Sequence, residues 1–418
     1  MGIGVGSGNR LPPYVDMQFL YEGFNVAETP YTFSQLISFT RTSSATYVNS
    51  AGNIVSAPAG TPRFDYDPVT LQPRGLLIEE QRTNLLTYSE DWTNAAWSKT
   101  NITVTAAATT SPDGTADAQK LEATATAATS TITPSATVAA TAATFSVYVK
   151  QGTGATTANT FTLRNVTTAT NLIRGTLNYS TGVFTYTTGS TGVTVTNAGN
   201  GWWRVTMTAT SGITSGDTIR GYVGFDGGSQ TAGDHLFAWG AQLEAGSFAT
   251  SYIPTVASQV TRAADQASIV APNFAPWYNQ SEGTLVAEFS SFMPTAASQF
   301  AWTISNGTGE ERWCLFMASS TLRHFMADGG TTQASIDAGT YAANTVFKSA
   351  MAIKANSVQA AVNQVLGTED TSATMPTADR LTIGASHSGA ANFLNGHIRR
   401  IAYYPSRLSN AQLQALSA

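Results

Sequence analysis

Runs of seven to nine residues in which apolar and polar side chains alternate recur through the middle of the chain, separated by turns rich in glycine, asparagine and serine. In TFSVYVKQG, Phe145, Val147 and Val149 share one parity, and Ser146, Tyr148 and Lys150 share the other. WWRVTMTAT places Trp203, Val205, Met207 and Ala209 on its apolar parity, leaving Trp202, Arg204, Thr206 and Thr208 opposite. IRGYVGF repeats the split, with Ile219, Val223 and Phe225 inward and Arg220 and Tyr222 outward. A period of two residues is that of a strand with one buried face. Many short strands with such turns specify an antiparallel sandwich or jelly roll.

Strands resume further on as LVAEF, FAWTI, WCLFMA, LRHFMA, VFKSAMAIKA and SVQAAVNQ, the last two joined at Asn356-Ser357 as a hairpin. One helix is expected, at the end: Ser409 and Gln412 fit a capping box, with Leu413 and Leu416 on one side to dock. Before residue 84 the text is irregular. Four glycines in residues 1–10 read as a flexible arm, and prolines at 58, 62, 68 and 73 exclude a long helix or central strand there. The expected fold is all-β: an irregular N-terminal arm (1–83), a first β-domain (84–258), a linker (259–281), and a second β-domain with a short C-terminal helix (282–418).

Charged residues are 11% of the chain and the net charge is -5. Outward faces must therefore carry mainly hydroxyls and amides, and no basic field exists to attract phosphates, which excludes nucleic-acid binding. Membrane insertion is excluded as well, because no run approaches the ~18 apolar residues a span requires. MGIGVGSGNR lacks the basic-then-apolar pattern of a signal peptide, so synthesis in the cytoplasm is expected. The single cysteine, Cys314, rules out an intramolecular disulfide and reads as a small buried apolar residue.

Sugar recognition needs flat apolar surfaces for the CH face of a ring and a few polar groups to fix its hydroxyls. Tyr148, Trp202 and Tyr222, with Lys150, Arg204 and Arg220, supply both if their strands share a sheet. The same residue types anchor subunit interfaces, so that reading stands beside it. Trp92 and Trp97 are expected to close the first core; Trp302, Trp313 and His324 lie on apolar parities of the second. The four histidines, 235, 324, 387 and 397, show no metal-ligand spacing. No cofactor is implied, and structural calcium near Asp226, Asp234 or Asp328 needs no fixed motif.

The ribbon RFDYDPVTLQPRGLLIEEQRTNLL (Arg63 to Leu86), leading into TYSEDWTNAAWSK and preceded by FTRTSSATYVNSAGNIV, resembles the junction of bacteriophage virion appendage proteins of the head-spike, head-fibre and tail-fibre class. Asn84 to Thr255 resembles a carbohydrate-binding jelly roll, and Glu282 to Leu416 a concanavalin-type or laminin-G-type sandwich. The resemblance implies a non-enzymatic virion subunit, attached by its N-terminal region to other virion proteins. It further implies a homo-oligomer, trimer first and pentamer second, that binds bacterial surface polysaccharide. His387 and Asn392, in GASHSGAANFLNG, fall where such sandwiches present loops. A purely architectural decoration protein and a glycan depolymerase are the alternatives. Against the latter, the paired carboxylates in E-x-D-x-x-E spacing that concanavalin-type glucanases use do not occur here, and the adjacent pairs Glu79-Glu80 and Glu310-Glu311 would point to opposite faces of a strand.

Overall fold

The computed structural model describes residues 14–154, 159–226, 230–294 and 298–418, so the glycine-rich stretch 1–10 lies outside them. The architecture is all-β and antiparallel throughout, as the alternation requires. The chain forms two compact units: residues 1–40, 74–80 and 265–418 make the first, and residues 41–73 and 81–264 the second. No helix among the described residues is long and apolar enough to cross a membrane.

The second unit is a jelly-roll-type sandwich. One sheet runs Ser98–Thr100, Thr129–Thr133, Asp217–Asp226, Asn159–Asn165, Thr170–Asn178 and Val183–Thr188, with Ser135–Val138 also pairing to the third of these. The other runs Ile102–Thr109, Ala118–Ala123, His235–Ala245, Ala143–Gln151, Trp202–Ala209 and Val193–Gly199. The inward parities meet in one core: Phe145, Val147, Val149, Val205 and Met207 from the second sheet against Phe161, Leu163, Ile219, Val223 and Phe225 from the first. Trp92 and Trp97 stack at 4.3 Å within that core, each almost fully buried.

In the first unit, one sheet orders Thr29–Tyr31, Gly23–Val26, Val15–Gln18, Gly396–Tyr404, Glu282–Ser291, Phe347–Lys354, Ser357–Val362 and Val365–Leu366. The facing sheet orders Thr331–Thr340, Thr321–Asp328, Arg312–Ala318, Gln299–Ser305, Arg380–Ile383, Gln266–Val270 and Ser38–Thr40. Trp302, Trp313 and His324 are fully buried, and His324 Nε2 lies 2.6 Å from Ser349 Oγ on the opposing sheet. The hairpin turns at Ala355-Asn356, with Asn356 at φ 58° and Lys354 paired to Ser357. The terminal helix, Asn410–Leu416, carries the expected capping box and buries Leu413 against Val286, Ala350, Ala402 and Tyr404. A one-turn helix, Phe33–Leu36, capped by Thr32 and Gln35, was not expected.

Two sequence boundaries are corrected. Among the described residues before 84, the chain is not a separate arm but supplies strands to both units. Val15 and Met17 are fully buried where Val15–Gln18 pairs with Gly396–Tyr404, and Asp16 makes a bidentate ion pair with Arg400. Leu76, Leu77 and Ile78 are buried alongside the same partner strand. Gly75 permits that approach, because at φ 105° a Cβ would lie 2.3 Å from the Ile398 carbonyl oxygen. The prolines broke these strands into short pieces without keeping them off the sheets. The span 259–281 is likewise no linker. Gln266–Val270 is an interior strand whose Ala267 and Ile269 face inward, and Val260–Arg262 pairs with Arg82–Asn84. Phe274 and Trp277 beyond them are buried, Trp277 packing on Tyr403 at 5.1 Å.

Candidate functional site

The outward aromatics of the second unit do not form one platform. Tyr148 and Arg204 are cross-strand partners, as are Lys150 and Trp202, on one sheet. Arg220 and Tyr222 belong to the opposing sheet. Since the two sheets face each other across the core, their outward faces point away from one another. The parity read from the sequence is right, yet outward does not mean exposed here: Tyr148 is 6% and Trp202 1% accessible.

A satellite core covers them. Tyr148, Trp202, Trp239, Tyr252 and Ala118 form one buried cluster, with Trp239 4.7 Å from Tyr252 and 5.5 Å from Tyr148. Trp202 Nε1 donates to the Thr110 carbonyl at 3.1 Å. The Arg204 guanidinium lies over the Tyr148 ring and donates to Ser146 Oγ at 2.9 Å and the Thr250 carbonyl at 2.8 Å. Tyr252 donates to Glu90 at 3.0 Å, and burial holds both that phenol and the Glu90 carboxyl above their ordinary ranges. These rings are buried, so a sugar cannot reach them. The neighbouring cavity lined by Thr46, Ser56, Tyr252 and Arg262 measures about 50 Å³, room for a water or two rather than a pyranose.

The first unit presents a different face. On its seven-stranded sheet, Trp313, Leu315 and Met317 point to the core, as do Leu322, His324 and Met326. The opposite parity carries Arg312, Cys314 and Phe316 on one strand and Arg323 and Phe325 on the next. Phe316 and Phe325 are half-buried, 6.2 Å apart edge to face, and Phe316 also stacks on Phe300 at 5.0 Å. Arg312 lies 5.2 Å above the Phe325 ring. Arg323 is held by a bidentate pair with Asp337 at 2.8 and 3.0 Å. Beneath this layer Cys314 is sealed, its thiol pushed up to about 12 by burial, so it is packing material.

The loop 384–394 closes one side of this face. Thr303 Oγ1 donates to the Ala385 carbonyl at 3.1 Å, the Phe300 N–H to the Asn392 carbonyl at 3.1 Å, and Ser386 Oγ to the Ala391 carbonyl at 2.9 Å. That folding brings His387 Nδ1 to 3.2 Å from Arg312 Nη1. A guanidinium only donates, so Nδ1 is the acceptor and the ring proton sits on Nε2. Burial, then the Arg312 charge, lowers the His387 pKa, consistent with a neutral ring. Asn392 is exposed at φ 54° and serves the loop through its backbone.

Of the residues expected to bind sugar, only His387 and Asn392 thus fall at this face; Tyr148, Trp202 and Arg204 lie in the satellite core, and Arg220 and Tyr222 on another sheet. Phe316, Phe325 and Arg312 were missed because RWCLFMA is apolar on both parities and reads as a strand buried on both sides. The available signal was that Arg312 and Arg323 share parity with the two phenylalanines. Among the described residues no group of three or more His, Cys, Asp or Glu is placed to hold a metal ion. Asp226 pairs with Arg174, Asp234 accepts from the Thr231 N–H at 2.8 Å, and Asp328 accepts from Thr374 Oγ1. Glu311 accepts from the N–H groups of Thr377 and Gly329, which hold its carboxyl below the usual range.

No protein-family model matches the chain, and no curated protein does. Among solved structures, similarity is found to the CBM40 of the Ruminococcus gnavus IT-sialidase bound to α2,3 sialyllactose, at 16% identity over 35% of this chain and 89% of that one, with a TM-score of 0.31. The NanB sialidase from Streptococcus pneumoniae is similar at 18% identity over 36% of this chain and 26% of its own, TM-score 0.31. A structure described as a receptor binding domain is similar at 11% identity over 37% of this chain and 39% of its own, TM-score 0.29.

Proposed function

We propose that this protein is a non-enzymatic glycan-binding subunit of a phage-type virion appendage, a homo-oligomer attached to the particle by its N-terminal region. The attachment and the phage-type particle rest on the resemblance of the ribbon Arg63 to Leu86. Glycan binding rests on one observation: the half-buried rings of Phe316 and Phe325 beside Arg312, on a sheet face whose other aromatics are engaged in packing. The solvent-facing parts of these edge-to-face rings offer apolar contact to the CH groups of a sugar ring, and the adjoining guanidinium and imidazole offer donors to its oxygens.

The test is binding of the full chain to a glycan array and to whole bacterial cells, beside Phe325→Ala and Trp202→Ala. Phe325→Ala is expected to weaken binding at least about tenfold, the loss of one stacking ring, with its melting temperature little changed. Trp202→Ala is expected to lose stability, about 3–5 kcal/mol, with glycan affinity intact in the folded fraction. Absence of glycan binding by the wild-type chain, with oligomer assembly lost in Phe325→Ala, would favour an architectural subunit whose phenylalanines contact a neighbouring copy.

A further inference from the structure

We infer that the ligand of this face is anionic, a glycan carrying a carboxylate or phosphate that docks on Arg312 with His387 as the second donor; this rests on the glycan-binding reading above. In the same unit Arg323, Arg380, Arg399, Arg400 and Arg407 each meet a carboxylate, at 2.7 to 2.9 Å. Arg312 meets none among the described residues; its neighbours are the Phe325 ring and the neutral His387. Its Nε is buried with no acceptor. A guanidinium with no carboxylate beside it has a charge that an incoming anion would balance.

Geometry sets which donors that anion meets. Nη1 is engaged by His387 and Nε is buried, which leaves Nη2 as the guanidinium donor that faces an incoming carboxylate or phosphate oxygen. The Phe325 ring beneath holds the guanidinium plane, so little side-chain freedom is lost on binding. The His387 tautomer presents Nε2–H as a further donor, and acceptance of the Arg312 proton at Nδ1 fixes the ring's orientation. Phe316 and Phe325 would carry the sugar ring that bears the acidic group. A neutral hydroxyl could use one of these donors; only an anion also balances the unpaired charge.

The experiment is calorimetric titration of the full chain with an oligouronate, its methyl ester, and a phosphodiester-linked teichoic-acid fragment, repeated with Arg312→Gln and Arg312→Lys. Tight binding of the oligouronate or the teichoic fragment, at least about tenfold weaker in Arg312→Gln and only partly restored by lysine, supports the inference, and the better of the two probes identifies the acid. In the wild-type chain the same probe should move the His387 imidazole nitrogen resonances, a readout that does not depend on a variant folding. Equal binding of acid and ester, unaffected by Arg312→Gln but lost in Phe325→Ala, overturns the anionic ligand and keeps the glycan site. Failure of every glycan to bind overturns both.

Discussion

His324 carries the clearest pH signature of any single residue. It is fully buried between the sheets of the first unit, and burial pushes its pKa down from 6.5 to about 3, opposed weakly by the Ile336 carbonyl and Asp337. A base whose folded pKa is depressed contributes its stability in full above pH 6.5 and loses it as pH falls toward 3. A depression of that size corresponds to an effect on the order of 4–5 kcal/mol. The melting temperature of the wild-type chain should therefore fall more between pH 7 and pH 4 than that of His324→Gln, which keeps a partner for Ser349. Matching acid slopes in the two proteins would mean that protonation of His324 is not linked to unfolding. Such a role was legible in the sequence only as far as parity goes: LRHFMA places His324 with Leu322 and Met326, but nothing local names Ser349 on the opposing sheet.

At the scale of single elements, the terminal helix makes the cleanest test of local reading. Its seven residues could not hold a helix alone, so the Ser409 cap and the docking of Leu413 must act together. Ser409→Ala should cost about 1 kcal/mol, read as a lower denaturation midpoint, with the sandwich intact. Leu413→Ala should cost about 2–5 kcal/mol by opening a hole over Ala350 and Ala402. If Ser409→Ala is neutral, tertiary docking alone defines the helix start. This helix was readable because capping and spacing are local signals. The interior strand Gln266–Val270 was not, although Ala267 and Ile269 alternate correctly, because five residues between polar stretches look like linker until the partners Arg380–Ile383 and Ser38–Thr40 are known. The aromatic face failed for a related reason. Trp202 and Phe316 both occupy outward parities, and only the three-dimensional fold shows that Trp239 and Tyr252 cover the first while Phe316 stays half-exposed.

For the whole molecule, the decisive fact is the order in which the chain visits its units: first, second, first, second, first, with changes after residues 40, 73, 80 and 264. A chain lacking residues 1–83 would forfeit Val15–Gln18 and 76–78 from one sandwich and Ala45–Val48 with Ile54–Ala57 from the other unit. Its expected behaviour is aggregation or broad, uncooperative melting. Sharp, wild-type-like transitions in that deletion would show that both units are complete without those strands. The same order bears on synthesis. Val15 has Val26 beside it early, but its second neighbour, Tyr403, is made last, so at about 5–20 residues per second one edge of the first strand waits roughly twenty seconds to over a minute. Any product terminated early lacks that partner and cannot complete its first sandwich. The weave thus ties completion of the first sandwich to completion of the chain.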